Sequence, residues 1–162
     1  IRVWRMKLIH KLIFISLIVY TTTVTNPEFS MQINPREKAC IIEAVWHEAR
    51  GEPLNGRIAV INVIRNRVYS GFYSSSYCDV IAERKQFSYK HQIKNKKPMV
   101  NASNQLLYME IETLSEKALE GTILKVVPDN VLWYHHIRVS PNWSKRMKTH
   151  TLIGSHKFLR KV

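Results

Sequence analysis

The stretch Trp46-His47-Glu48-Ala49-Arg50-Gly51-Glu52-Pro53, written WHEARGEP, separates two apolar helical patterns. Upstream of it, Asn34 and Pro35 predict a helix start, because asparagine caps helix N-termini and proline fits the first helical position. Gly51 and Pro53 predict the end of that helix. The stretch therefore marks the turn between a first helix and a second, more apolar one.

Within this stretch, Glu48 lies on the side of the first helix that faces the core. It follows Ala44 by four residues and Ile41 by seven, so the three side chains share a face. Burial and the negative end of the helix dipole both raise the pKa of a carboxyl group. A carboxylic acid that is still protonated near neutral pH can serve as a general acid. The alternative is a structural glutamate paired with Arg50 or Arg67.

The rest of the chain reads as mostly helical with a few short strands, which predicts an α+β fold with a short β-sheet or hairpin. Glu110, Glu112, Glu116 and Glu120 are interpreted as one exposed helical face without chemistry. The predicted elements are a central helix over Leu54–Tyr69, a short helix over Cys78–Glu83, a strand over Gln86–Tyr89, a helix from near Asn101 or Ser103 to Gly121, a strand over Val131–His136 and a terminal strand over Lys157–Leu159.

Composition indicates one folded domain with an anionic partner. The 162 residues are 45% hydrophobic, and the formal net charge is +13 with a pI near 10.0. Such a charge favours nucleic acid, an acidic membrane surface or an acidic cell-wall polymer, unless it merely keeps the protein soluble. No RNP-like motif, zinc-finger spacing or Gly-rich phosphate loop is present, so nucleic acid is not expected as a partner.

Residues 1–25 are interpreted as a signal peptide or signal anchor, and residues 31–162 as the catalytic domain. Lys7 and Lys11 precede an apolar run from Leu12 to Val24, which has the length of a signal-peptide core. The prediction is export to the periplasm or cell envelope, with possible anchoring by residues 7–24. A buried N-terminal helix is the alternative. Cys40 and Cys78 either pair in an oxidising compartment or stay unpaired in the core.

Four segments in order resemble the SleB-type cell-wall hydrolases, the group that includes spore cortex-lytic enzymes. They are WHEARGEP (46–53), GRIAVINVIRNRV (56–68), CDVI with QFSY (78–81, 86–89), and LWYHH, SPNW and IGSH (132–136, 140–143, 153–156). The resemblance spans roughly residues 39–160. It implies a small lysozyme- or transglycosylase-like domain that cleaves peptidoglycan.

The resemblance also implies roles for particular residues. The catalytic glutamate of the family corresponds to Glu48, and the family's cysteines favour a Cys40–Cys78 disulfide. One departure concerns His135 and His136, where cortex-lytic relatives often carry aromatic and asparagine residues. The residues expected to contact substrate are Glu52, Gln86, Phe87, Ser88, Trp133, Tyr134, His135 and Trp143. For Trp133, Tyr134 and Trp143, core packing is an equally open alternative.

A lytic transglycosylase that uses Glu48 as acid and then as base is the first hypothesis. A hydrolytic muramidase needs a second carboxylate. Glu52 is a candidate for it, although it could instead cap a helix or pair with Arg50. Asp79, Glu83 and Asp129 have no special support.

Two further hypotheses are a zinc-dependent N-acetylmuramoyl-L-alanine amidase and a basic, non-catalytic wall-binding module. His47, His135, His136, His150 and His156 show no ligand spacing for zinc. No metal or other cofactor is therefore expected. The expected partner is peptidoglycan, and the protein is expected to be a monomer.

Overall fold

The computed structural model describes residues 32–83, 87, 89 and 96–162, all of which belong to one compact unit of the chain. The leader over residues 1–25 lies outside these described residues. None of the described helices is both long and apolar enough to span a bilayer. The elements are α1 (Pro35–Ala49), α2 (Leu54–Tyr69), α3 (Tyr77–Ala82), α4 (Gln105–Glu120), β1 (Trp133–His136), a 3-10 helix (Asn142–Arg146), β2 (Lys148–Ile153) and β3 (His156–Arg160).

The helix α2 is central, as its apolar sequence predicts. Nearly all of its residues are buried, and it packs against α1, α3, α4 and the sheet. α1 begins as predicted, with the Asn34 side chain accepting hydrogen bonds from the backbone of Arg36 and Glu37. The apolar face of α1, including Ile41 and Ala44, is fully buried. The two helices on either side of WHEARGEP therefore form the centre of the core.

The three strands form an antiparallel sheet in the order β1-β3-β2. Gly154 and Ser155 connect β2 to β3, and Gly154 has a φ of +57°, which non-glycine residues rarely adopt. Side chains alternate between faces along a strand. Tyr134 and His136 therefore share one face of β1, and Trp133 and His135 share the other.

Cys40 and Cys78 form the predicted disulfide, with their Cα atoms 5.3 Å apart. The bond joins α1 to α3. One turn earlier in α1, the Glu37 carboxylate accepts hydrogen bonds from Ser76 Oγ at 2.8 Å and from the backbone N–H of Cys78 at 3.1 Å. Covalent and polar contacts thus hold the same end of α3 against α1.

The strand predictions were the weakest. The predicted strand over residues 86–89 is wrong for its two described residues, since Phe87 is not in a strand and Tyr89 is helical. The strand β2 was not predicted, because its N-terminal half, from Lys148 to His150, is exposed and polar. It lies at the sheet edge, pairs with β3 alone, and contacts the core only near its C-terminal end, where Ile153 packs.

The helix α4 also differs from its prediction. It begins at Gln105, because Asn101 and Asn104 form a turn in which the Asn101 N–H donates to the Asn104 side chain at 2.8 Å. The glutamates of α4 were predicted to be an exposed face; Glu120 is exposed, and the other three are partly exposed and form ion pairs. Glu112 and Glu116 pair with Lys38 of α1 at 3.1 and 3.0 Å. A third, Glu110, pairs with Arg57 of α2 at 2.7 Å.

Candidate active site

Glu48 lies in the last turn of α1, with its carboxyl group partly buried against the inner face of the sheet. Burial raises the pKa of Glu48 to about 7, and an interaction with the Tyr134 hydroxyl lowers it in part. Arg50 instead lies over the Trp46 ring, with its guanidinium carbon 5.5 Å from the ring centroid. Within the described residues, no ion pair joins Glu48 to Arg50 or Arg67, so the carboxyl lacks the cationic partner that would hold it ionised.

Tyr134 reaches Glu48 from β1, on the inner face of the sheet. Its hydroxyl is buried and makes no hydrogen bond of ordinary geometry within the part of the chain that the structure describes. Burial raises the pKa of Tyr134 well above its usual value, and the Glu48 carboxyl adds to the rise. The hydroxyl is therefore a neutral donor available to the Glu48 carboxylate.

Arg67 places a buried positive charge behind Tyr134. Its Nε donates to the carbonyl oxygen of Leu132 at 2.8 Å, and its guanidinium lies 5.5 Å from the Tyr73 ring and 6.0 Å from the Phe87 ring. Burial lowers the pKa of Arg67, which Tyr134 and Tyr73 partly oppose. The sequence offered Arg67 as a possible partner of Glu48. It is 3% exposed and instead bonds to a carbonyl and stacks on rings.

Phe87 and Tyr89 lie on another side of the site. Tyr89 stacks on His47 with ring centroids 4.6 Å apart and meets Phe87 edge-on at 6.2 Å. Burial raises the pKa of Tyr89, and the carboxylates of Glu43 and Glu48 add to the rise. Tyr89 thus lies near Glu48, whereas Phe87 is 1% exposed and packed in the core, so its predicted contact with substrate stays a prediction. Gln86 and Ser88, its predicted substrate contacts, lie outside the described residues.

Glu52 makes several structural contacts. Its Oε2 accepts a hydrogen bond from the backbone N–H of Ser155 at 2.7 Å, and its Oε1 lies 3.7 Å from Nδ1 of His156. Its backbone carbonyl accepts a hydrogen bond from Arg57. The side chain is 10% exposed, and a Cβ at Gly154 would lie 2.0 Å from Oε2. Glu52 therefore fastens the β2–β3 turn to the start of α2. A substrate contact by Glu52 stays a prediction.

The remaining predicted site residues are on the face of β1 opposite Tyr134. Nδ1 of His135 lies 2.9 Å from the carbonyl oxygen of His136, and its buried ring meets Trp143 edge-on at 5.7 Å. Trp133 lies on the same outer face and borders a surface cleft. The structure does not bring Trp133, His135 or Trp143 together with Glu48.

Two histidines that sequence reasoning did not select share the inner face with Tyr134. The His156 ring is 5.2 Å from the Tyr134 ring and 5.9 Å from the His136 ring. Burial lowers the pKa of His156, and Glu52 partly opposes this. The alternation of side chains could have identified His136, but His156 required the pairing of β1 with β3. In the described ranges, no three His, Cys, Asp or Glu side chains cluster closely enough to hold a metal ion.

Comparison with known proteins places the chain in a family. A sequence model described as Cell Wall Hydrolase matches residues 51–159, a span that begins three residues after Glu48. No functionally curated protein matches the chain.

Two solved structures share the fold. The catalytic domain of the germination-specific lytic transglycosylase SleB from Bacillus anthracis is 24% identical over 79% of this chain and 97% of that chain, with a TM-score of 0.62. The SleB catalytic domain from Bacillus cereus is 23% identical over 80% of this chain and 93% of that chain, also with a TM-score of 0.62. The predicted lysozyme-like α+β fold is thereby confirmed, and the chain belongs to the Cell Wall Hydrolase family.

Proposed function

We propose that the chain cleaves the bond between N-acetylmuramic acid and N-acetylglucosamine in peptidoglycan, as a lytic transglycosylase in which Glu48 is both acid and base. The single observation that carries this proposal is the carboxyl of Glu48, buried without a cationic partner among the described residues, with a pKa raised to about 7. Membership of the Cell Wall Hydrolase family and the fold shared with a lytic transglycosylase support the same reaction.

In the first step, the protonated carboxyl of Glu48 donates its proton to the glycosidic oxygen. The bond from that oxygen to C1 of the muramic acid breaks, and the N-acetylglucosamine leaves with a free 4-hydroxyl. In the second step, the Glu48 carboxylate removes the proton from the muramic acid 6-hydroxyl, and O6 bonds to C1. The product is a 1,6-anhydro ring, and no water is consumed. A pKa near neutrality suits one group to both transfers.

Tyr134 assists between the two steps. After Glu48 has given up its proton, its carboxylate is a partly buried anion, and a hydrogen bond from the Tyr134 hydroxyl stabilises this form. The hydroxyl suits this role because it is buried, neutral and without an ordinary hydrogen bond in the described residues. Tyr134 therefore limits how far burial raises the pKa of Glu48, which keeps the base form accessible.

The contacts of Glu52 argue against a hydrolytic muramidase. In such an enzyme a second carboxylate activates water or attacks the sugar. Glu52 is the acid next in sequence to Glu48, and its oxygens face the backbone N–H of Ser155 and the ring of His156. Releasing it would require opening the β2–β3 turn. The scheme with one glutamate avoids that cost.

The site of action that goes with this chemistry is the cell envelope. Family membership supports action on the wall. The leader over residues 1–25 would bring the chain there, either as a cleaved signal peptide or as a membrane anchor through residues 7–24. Mass spectrometry of the protein recovered from the envelope distinguishes the two, since cleavage near Thr25 removes the anchor.

Mass spectrometry of purified peptidoglycan digested in water enriched in oxygen-18 tests the proposal. We expect anhydro-muropeptides, lighter by one water than hydrolysed ones and free of the heavy isotope. The Glu48→Gln variant should form none, whereas Glu120→Gln, an exposed glutamate at the end of α4, should act like the wild type. Reducing ends that carry oxygen-18 would instead establish a hydrolase. Released stem peptides with intact glycan would establish an amidase.

A further inference from the structure

A second concave surface lies at the C-terminal end of α2, beside the outer face of β1. Its volume is about 620 Å³. The loop after α2, the loop before β1 and the residues after β3 form its walls. The side chains that matter for recognition are those of Phe72, Tyr73, Asn130, Trp133, Arg160 and Lys161. We call it the outer cleft.

Two aromatic rings and a lysine lie close together in the outer cleft. Phe72 is 81% exposed and borders the cleft together with Trp133. Lys161 Nζ lies 5.8 Å from the Phe72 ring centroid and 5.7 Å from that of Trp133. Two rings with a cation between them suit a ligand that has both an apolar face and an acidic group.

The polar groups of the outer cleft give it a positive character. Arg160 and Lys161 contribute two cations. Asp129 also borders the cleft, but it pairs with Lys125 at 2.9 Å, which offsets its negative charge. Asn130 supplies an amide that can both donate and accept hydrogen bonds.

The outer cleft lies on the face of the sheet opposite the one that meets Glu48. Trp133 and Tyr134 are adjacent in β1 and project to opposite faces of the sheet. The cleft borders Ser70, the C-cap of α2. Two of its lining residues, Tyr73 and Leu132, contact the side chain of Arg67, which lies behind Tyr134.

From this arrangement we infer that the outer cleft is a second binding site for peptidoglycan. Sugar rings stack on Phe72 and Trp133, and the carboxylates of the muramic acid stem peptides pair with Arg160 and Lys161. The identification of the ligand as peptidoglycan rests on the proposed function. The expectation that the ligand carries both a ring and a negative charge rests on the residues of the cleft. The site retains the enzyme on the wall polymer while the site at Glu48 acts on one bond.

The test is a binding measurement on the full-length chain carrying Glu48→Gln, with and without Phe72→Ala or Lys161→Glu. The probes are insoluble peptidoglycan, retained by centrifugation at 0.15 M salt, and a soluble neutral oligomer of N-acetylglucosamine. Matched controls are Leu106→Ala, which removes an equally exposed apolar side chain (82%), and Lys117→Glu, which makes the same charge change on exposed α4 surface. Thermal melts confirm that all variants are folded.

We expect Phe72→Ala to weaken binding of both probes by roughly 5- to 10-fold, because the stacking partner is lost. Lys161→Glu should weaken peptidoglycan binding by a similar factor and leave the neutral oligomer unaffected. Equal losses in Lys117→Glu would overturn the inference in favour of a diffuse basic surface, and unchanged binding in Phe72→Ala would overturn it directly. Product analysis of otherwise wild-type protein reports separately on the proposed reaction, so the two ideas fail independently.

Discussion

Glu48 and Glu52 are the same amino acid, four residues apart, on either side of the end of α1. Glu52 is 10% exposed, and its oxygens face an N–H donor and a histidine ring. Glu48 is partly buried with no cationic partner among the described residues, and burial raises its pKa to about 7. A carboxyl that is buried with its partners holds a fold together. One that is buried without them keeps a proton that it can give away.

The end of helix α1 between the two glutamates explains why their side chains point in different directions. α1 ends at Ala49, so Glu48 keeps the helical direction that points its side chain at the sheet. Gly51 and Pro53 then turn the backbone, and Glu52 points to the β2–β3 turn instead of one helical turn beyond Glu48.

The largest expected effect is on activity. Glu48→Gln removes the proton donor and the base while keeping the size of the side chain, and lysis should fall by at least ~10³-fold. Release of soluble muropeptides from peptidoglycan measures it, with Glu120→Gln as the control. If Glu48→Gln keeps more than a tenth of wild-type activity, Glu48 is not the catalytic acid and base.

The next largest effect is a loss of stability when the contact between Glu52 and Ser155 is broken. Gly154→Ala forces a non-glycine residue to a φ of +57° and places a Cβ 2.0 Å from Glu52 Oε2, so Glu52 must leave Ser155. We expect a loss of roughly 3 kcal/mol in the free energy of unfolding, the sum of backbone strain and a lost buried hydrogen bond.

Gly121→Ala is the matched control for that experiment. Gly121 has a φ of +76°, but a Cβ there meets nothing within 4 Å. Its cost should be the strain alone, about 1–2 kcal/mol. Equal losses in the two variants, measured by urea denaturation, would mean that the Glu52 contact adds nothing.

The stability of the Glu48→Gln variant should change in sign-specific fashion with pH. The pKa of Glu48 is about 7 when folded and 4.5 by its ordinary value. The contribution of Glu48 to the free energy of unfolding is therefore fully present below pH 4.5, where the group is protonated in both states. It is lost as the pH rises through 7, because the folded protein then holds a buried carboxylate. Because glutamine does not titrate, Glu48→Gln should be more stable than wild type by roughly 1–3 kcal/mol at pH 8, and the advantage should shrink toward pH 4.5.

Glu52→Gln should have the opposite sign. It weakens the acceptor for the Ser155 N–H and the contact with His156, so it should destabilise by about 1 kcal/mol. Urea denaturation of both variants at pH 5 and pH 8 measures the pair. Destabilisation by Glu48→Gln at pH 8 would contradict the account of an unpaired buried acid.

The smallest expected effect is a shift in the pH profile. The Tyr134 hydroxyl lowers the pKa of Glu48 against the effect of burial. Tyr134→Phe should therefore raise that pKa and move the alkaline limb of kcat/KM to higher pH, because the acid form persists longer. If the alkaline limb of Tyr134→Phe coincides with that of the wild type, the Tyr134 hydroxyl does not affect the ionisation of Glu48.

The bounds of α1 and the position of Glu48 on it could be predicted from local sequence, whereas the contacts of Glu52 could not. Asn34, Pro35, Gly51 and Pro53 set the bounds of α1, and helical spacing alone put Glu48 on the buried face. The partner of Glu52 could not be foreseen, since Ser155 is 103 residues away in sequence.

The sheet shows the same limit. Sequence alternation placed neighbouring side chains of β1 on opposite faces, but only pairing with β3 and packing on α2 reveal which face meets Glu48. Trp133 and His135 were therefore selected together with Tyr134, although Tyr134 alone of the three is on the inner face. The edge strand β2 lacked the apolar alternation that marks a strand in sequence.

The most direct test of the central claim is the titration of Glu48 itself. Carbon-13 NMR of side-chain carboxyl groups in the full-length protein, with Glu48→Gln to assign the signal, measures its ionisation without substrate. We expect a midpoint near pH 7. A midpoint near 4.5, the ordinary value for glutamate, would show that Glu48 is already ionised at neutral pH and could not be the acid that cleaves the glycan.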